Sequence, residues 1–213
     1  MRPVYLVHWP IALNPNGNPP GAMIPLLPDG TRDIVHSWKL SDTWAQLEAL
    51  VKKGKVRSIG VSNFSVLNLE KILPTATIVP AVNQLELHVY NPQHKLLEYC
   101  RSKGITPQAY SPLGSSGSPL VKDEVVVSIA EKHGLTPVDV LIGYLLGKNI
   151  VALPKSVTPS RITANFTGGL SGLAKLTKED IEKLDGLAAA GKQRRFVTPP
   201  WRMSFCPCIL SIS

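Results

Sequence analysis

The sequence predicts an α/β fold built on a parallel sheet with helical crossovers. Short apolar runs recur along the 213 residues, each about as long as a strand buried on both faces. Stretches with helical apolar spacing separate them, and strands alternating with helices imply parallel pairing. Five such units with their loops take up the whole chain, whereas a complete (β/α)8 barrel typically needs about 250 residues. An open doubly wound sheet and part of a (β/α)8 barrel both remain compatible with this pattern.

The elements run in order along the chain. Val4 to Val7 reads as the first strand and Ser58 to Val61 as the second. Ile78 to Val82, Gly104 to Ala109 and Ile150 to Leu153 read as the third, fourth and fifth. Between the first two, Trp44, Leu47, Leu50 and Val51 share a helical face, with Ser41 or Asp42 as N-cap and Gly54 as the stop. Leu67, Leu69, Ile72 and Leu73 make a second helix. Leu96, Leu97 and Cys100 make a third, after Pro92 and before Gly104. Val125 to Glu131 is a fourth, and Val138 to Leu146 a fifth opened by Thr136 and Pro137. Thr158 and Pro159 open another, and Thr177 with Asp180 forms a capping-box pattern before Ile181, Leu184 and Leu187. Asn14 to Asp33, rich in Pro and Gly, stands outside the alternation as a long loop or lid. No linker divides the chain: one domain over residues 1–201 and a short tail over 202–213 are expected.

Composition excludes several classes. With 44% hydrophobic and 18% charged residues the chain can bury a core, and 19 Pro with 16 Gly exclude a plain helical bundle. No run of about 18 apolar residues is present, so no membrane segment is expected, and the N-terminus lacks a signal-peptide pattern. Three cysteines, Cys100, Cys206 and Cys208, do not make a disulfide framework. A soluble cytoplasmic protein is expected. The net charge of +8 is scattered, and 6% aromatics are too few for base-stacking platforms, so no nucleic-acid partner is expected.

Parallel α/β folds bind ligands beyond the carboxyl ends of their strands. Those ends deliver His8, then Ser62 and Asn63, then Asn83, Gln84 and on towards His88, then Tyr110 and Ser111, then Lys155 and Ser156. Read alone, His8 is an acid/base group, a carbonyl polariser or a histidine bonded to backbone. Ser62, Asn63 and Gln84 suit a carboxamide or their own neighbouring backbone. Tyr110 suits stacking, a hydroxyl donation or simple packing. The last strand end is the sharpest. Lys155 and Arg161 flank a helix start whose free N–H groups attract anions, and Asn165 lies one turn beyond Arg161. A phosphate is the expected ligand there. No Gly-rich dinucleotide turn, zinc spacing or Gly-x-Ser-x-Gly elbow occurs.

The strings YLVHWP, IGVSNFS, PAVNQLELHVY, YCRSKGI, AYSPLGS and LPKSVTPSRI, in this order, resemble the aldo-keto reductase family. PLLPDGTRDI and IVPAVNQLELH resemble its NADP-dependent glycerol dehydrogenase and aldehyde reductase branch. The resemblance runs from Val4 to about Trp201. It implies an incomplete (β/α)8 barrel, strands 4 to 8 of the family pattern plus a C-terminal helix. It also implies an NADP(H)-dependent oxidoreductase that reduces aldehydes and ketones or oxidises small polyols. By motif, His8 resembles the catalytic histidine. Ser62, Asn63 and Gln84 resemble the carboxamide binders, and Tyr110 the nicotinamide-stacking aromatic. Ser111, Leu113 and Ser115 resemble residues along the pyrophosphate. Lys155, Ser156, Arg161 and Asn165 resemble the 2′-phosphate and adenine site.

The departures carry expectations of their own. The family's catalytic aspartate, proton-donating tyrosine and lysine have no counterpart here, and Tyr5, Tyr90, Tyr99 and Tyr144 sit in no matching motif. Residues 202–213 depart from the family's C-terminal loop. Ala164 stands where many members place a glutamate, and Val89 where a proline is frequent. Gly143 and Gly147 fall inside a helix, each at about 1 kcal/mol relative to Ala. Impaired turnover is therefore expected. The alternatives are a non-catalytic nucleotide-binding or association module, and a fragment with no function of its own. Intact members are usually monomeric, whereas open strand edges predict self-association here.

Overall fold

The computed structural model describes residues 2–14, 25–115 and 117–198. Residues 15–24, half of the proline-rich loop, and the whole 202–213 tail, with Cys206 and Cys208, therefore lie outside the described residues. Five strands pair in chain order, β1 (Arg2–Val7), β2 (Val56–Ser62), β3 (Val82–Glu86), β4 (Thr106–Tyr110) and β5 (Val151–Leu153). β1 pairs with β2, and β4 with β5, in parallel. The chain divides into two compact units, residues 1–83 with 198–213, and residues 84–197. The boundary falls within β3.

In the first unit, α1 (Leu40–Lys52) and α2 (Val66–Ile72) pack together. Gly54 follows α1 at φ 66°, the left-handed position the sequence assigns to it. The N-cap is Lys39 and has no side-chain cap bond, so Ser41 and Asp42 lie inside the first turn rather than capping it. Ser65 caps α2 through the Asn68 amide. The third strand is displaced from its expected place. Ile78 is held by α1: its carbonyl accepts from Trp44 Nε1 at 2.9 Å and its amide donates to Glu48 at 2.9 Å. Pro80 has no N–H to give a ladder. Pairing therefore starts only at Val82, and Asn83 and Gln84 lie within β3 instead of beyond it.

In the second unit, α3 (His94–Ser102), α4 (Glu124–His133), α5 (Pro137–Gly147), α6 (Pro159–Lys175) and α7 (Lys178–Leu187) succeed one another. Thr136 caps α5 with Pro137 at its first position, as expected, and adds a capping box with Asp139; the expected box of Thr177 with Asp180 forms on α7. Leu85, Leu87, Leu97, Ala109, Val126, Ile129, Leu141 and Leu184 share one buried core. Cys100 is buried and forms no disulfide among the described residues. Among the described residues no helix is long and apolar enough to cross a membrane.

Asp180 is fully buried and bonded to Lys132 at 2.9 Å, His133 at 2.7 Å and the Thr177 amide at 3.0 Å. Burial alone would raise its pKa, but these donors outweigh burial and hold the carboxyl well below the usual carboxylate range. A depressed folded pKa contributes stability that is present above about pH 4 and lost as pH falls through the folded value. Asp180→Asn is expected to cost roughly 3 kcal/mol at neutral pH. In urea melts the gap to wild type should narrow towards about pH 2; a gap independent of pH contradicts this.

β1 and β5 end the sheet order, and each shows apolar side chains to solvent: Val4 and Tyr5, and Val151 and Leu153. Such edges template further pairing. Sedimentation velocity of the 213-residue chain by itself is expected to show association. A monodisperse monomer with a cooperative thermal transition is the opposing result.

Candidate functional site

In the first unit, Val7 pairs with Val61, so His8 and Ser62 leave the sheet side by side. Asn63 Nδ2 donates to the His8 carbonyl at 2.9 Å and to Ser62 Oγ at 3.1 Å. Asn63 therefore ties the two strand ends together, as the plainer sequence reading allows. Ser62 and Asn63 are buried, whereas His8 is exposed, its ring 6.1 Å from that of Trp9. Asn63 has φ 61°. A left-handed non-glycine residue is strained by roughly 1–2 kcal/mol, and such strain clusters at functional sites.

In the second unit the same device recurs. Tyr110 closes β4 in register with Leu153 of β5, so Ser111 and Pro154 leave the sheet together. Ser111 has φ 49°, and the Gly114 amide donates back to its carbonyl at 2.8 Å. That turn presents Ser111, Leu113 and Ser115, the first two half-buried and the last exposed. Gln84 is half-buried and donates to Gln108 Oε1 at 3.0 Å, a partner that no sequence pattern marks. Tyr110 is half-buried; burial first, then the negative Glu86, raise its hydroxyl pKa, and Arg195 opposes them.

The expected anion site sits at the start of α6. Thr158 is the N-cap but gives no side-chain cap bond; Ser156 Oγ instead accepts from the Thr158 amide at 3.1 Å. No acidic residue occupies the first turn. Lys155 and Arg161 are exposed, and neither is paired with a carboxylate among the described residues; Asn165 is half-buried. A helix N-terminus with two cations and no acid favours an anion electrostatically. These groups fit an anionic, phosphate-bearing cofactor.

Two other tyrosines are occupied elsewhere in this unit. Tyr90 donates to Asp123 at 2.5 Å, and burial with that carboxylate pushes its pKa up to about 12. Tyr144 donates to Asp185 at 2.5 Å and is likewise raised, burial first. Sequence patterning also misses Glu86. It is fully buried, accepts the Phe196 and Val197 amides at 2.6 and 3.0 Å, and lies 3.0 Å from His88 Nε2. An acid inside a strand-like run next to a histidine is its only local signal.

Comparison with known proteins places the chain. Residues 3–189 match the Aldo/keto reductase family. A D-galacturonate reductase of Hypocrea jecorina is 46% identical over 204 residues, covering 94% of this chain and 64% of that protein. A glycerol 2-dehydrogenase (NADP(+)) of Saccharomyces cerevisiae is 38% identical over 203 residues, covering 93% and 64%. The structure of an aldose reductase from Giardia lamblia superposes with a TM-score of 0.84 at 32% identity, covering 94% of this chain and 66% of that one. The chain thus spans just under two thirds of the length of these relatives.

Proposed function

This chain belongs to the aldo/keto reductase family, and on that premise we propose that it is the cofactor-binding part of an NADP(H)-dependent oxidoreductase acting on small carbonyl or alcohol substrates. The parallel five-stranded sheet is then a partial (β/α)8 barrel, as its likeness to the aldose reductases supports. The observation that carries the cofactor reading is the start of α6, where Lys155 and Arg161 flank an acid-free helix N-terminus.

When bound, NADPH supplies a hydride for carbonyl reduction. The residues of this chain bind and orient it. Lys155, Ser156 and Arg161 hold the 2′-phosphate by charge-assisted bonds, and Asn165 contacts the adenine side. Ser111, Leu113 and Ser115 line the pyrophosphate from the turn after β4. Tyr110 offers its ring face to the nicotinamide, and its raised pKa keeps the hydroxyl neutral at physiological pH. Ser62 and Asn63 of the first unit, and Gln84 of the second, each offer hydrogen-bonding groups suited to a carboxamide. Asn63 uses its nitrogen on the His8 carbonyl, which aims its oxygen as the acceptor for this role. His8, exposed at its strand end, hydrogen-bonds the substrate oxygen. The relatives' names suggest substrates of the sugar-acid or glycerol class.

Charge-assisted hydrogen bonds contribute about 1.5–3 kcal/mol each. The chain is expected to bind NADPH at least about tenfold more tightly than NADH, a gap of about 1.4 kcal/mol. Arg161→Ala should remove most of that preference. Equal affinities for the two nucleotides, measured by fluorescence quenching, overturn the phosphate assignment. A second reading, a nucleotide binder without turnover, is favoured by one observation: Tyr90 and Tyr144 are buried and bonded to carboxylates, so neither serves as a proton donor.

A further inference from the structure

The C-terminal strap of the second unit, residues 192–197, is fastened along its whole length. Lys192 Nζ donates to Asp123 at 2.5 Å, Gln193 Nε2 to Asn91 Oδ1 at 3.0 Å, and the Arg194 amide to the Tyr90 carbonyl at 2.9 Å. The last three residues hang on one group. Glu86 accepts the Phe196 and Val197 amides on its two oxygens, and Arg195 Nε lies 3.8 Å from it. The Phe196 ring stands 5.1 Å from the His88 ring, with the Arg194 guanidinium 5.0 Å over its face. Its far edge meets the turn after β4: a Cβ on Gly114 would lie 3.2 Å from Phe196 Cε2. Among the described residues that turn is also held by the Gly114 amide on Ser111, the Ser118 amide on Ser115, the Ser118 side chain beside Gly114 and Leu113 packed on the core.

We propose that Glu86 is a positioning residue for the turn after β4: by fastening residues 195–197 it presses Phe196 against Gly114 and so sets Ser111, Leu113 and Ser115. The nucleotide consequence rests on the cofactor reading above; the mechanical coupling does not. Two charge-assisted bonds to backbone amides leave the strap end little freedom. A short turn with few packed side chains opens more easily when one of them is removed. Phe196 adds packing at Gly114, and the anion that aims Phe196 also contributes to the electrostatic surroundings of Tyr110. Anchors at Lys192, Gln193 and Arg194 survive loss of Glu86, so the effect is local.

The test is amide exchange by NMR on the full 213-residue chain. Glu86→Gln is expected to speed exchange at Phe196, Val197 and Gly114 by about tenfold or more, leaving Tyr144 and Leu145 of α5 unchanged. Phe196→Ala should speed Gly114 and Ser118 while Glu86 stays intact, and Phe196→Leu should restore them to within about threefold of wild type. In parallel, the Kd for NADPH should rise about tenfold in Phe196→Ala and recover in Phe196→Leu. Acceleration at Phe196 and Val197 with Gly114 unmoved overturns the proposal, as does a Phe196→Ala chain whose turn exchanges like wild type. If Glu86→Gln does not fold, the Phe196 pair decides. If the wild-type chain binds no NADPH, the cofactor reading fails while the exchange data still judge the coupling.

Discussion

Assayed by itself with NADPH and DL-glyceraldehyde, the chain is expected to turn over at least about 10²-fold more slowly than a full-length relative, because general acid catalysis typically contributes about 10²–10⁴-fold. Hydride addition to a carbonyl builds negative charge on oxygen, and a proton must arrive there. His8 is exposed at a strand end and can hydrogen-bond that oxygen. Among the described residues no tyrosine is proposed as the phenolic donor: Tyr110, at the end of β4, is proposed for the nicotinamide face, and its hydroxyl pKa is raised. Tyr90, at about 12, and Tyr144, likewise raised, are made poorer acids by burial and by Asp123 and Asp185. Tyr5 lies on β1 and Tyr99 on α3, neither at a strand's carboxyl end. Steady-state kinetics check this. Turnover within a few fold of a full-length relative means that a group of this chain donates the proton, and the assignment of His8 as its only member of the catalytic set is then wrong.

The second large effect is on stability, and its sign runs against helix propensity. Gly143 lies in the middle of α5 and is buried. Propensity alone makes Gly143→Ala favourable by about 1 kcal/mol. In the folded chain, however, α5 and α6 meet across glycines. A methyl on Gly143 would sit 2.6 Å from the Gly172 carbonyl carbon and 2.8 Å from the Leu173 nitrogen, and one on Gly169 would sit 2.5 Å from Ile142 Cγ2. The obstacle at Gly143 is backbone, which cannot swing aside. Overpacking of this kind costs about 1–3 kcal/mol or more. Gly143→Ala is therefore expected to lower Tm by roughly 4–8 °C. Gly147, in the last turn of α5, has its nearest neighbours at 3.8 and 3.9 Å. Gly147→Ala should raise Tm by about 2–3 °C. Two alanines of the same sign in thermal melts contradict the close approach of the two helices.

Local chemistry is legible in the sequence where it is self-contained. Thr136 and Pro137 announce α5, and Thr177 with Asp180 announces α7, because a helix cap is closed within a single helical turn. The strands ending at Val7, Ser62, Tyr110 and Leu153 end within a residue of their apolar runs and begin within two. β3 is displaced from its apolar run because its fate is decided from a distance. Ile78 belongs to that run, but Trp44 and Glu48, on a helix far earlier in the chain, take both of its backbone groups. The same holds for the site. His8, Tyr110 and Lys155 are legible because each stands at or just beyond the carboxyl end of an apolar strand, and Arg161 because it lies in the first turn of the helix that Thr158 and Pro159 open. Gln108 and the Glu86 anchor of Phe196 are not, since the latter joins residues 110 apart.

Everything functional turns on whether the start of α6 and the turn after β4 meet a 2′-phosphorylated dinucleotide. Titration of the isotope-labelled chain with NADPH, followed amide by amide, reads this directly. Saturable shifts are expected at Ser111, Leu113 and Lys155 to Ile162, with those at Lys155 to Ile162 largely lost when NADH replaces NADPH and α7 silent with both. Absence of saturable shifts at these amides, or identical shifts at Lys155 to Ile162 with NADH and NADPH, would contradict the assignment.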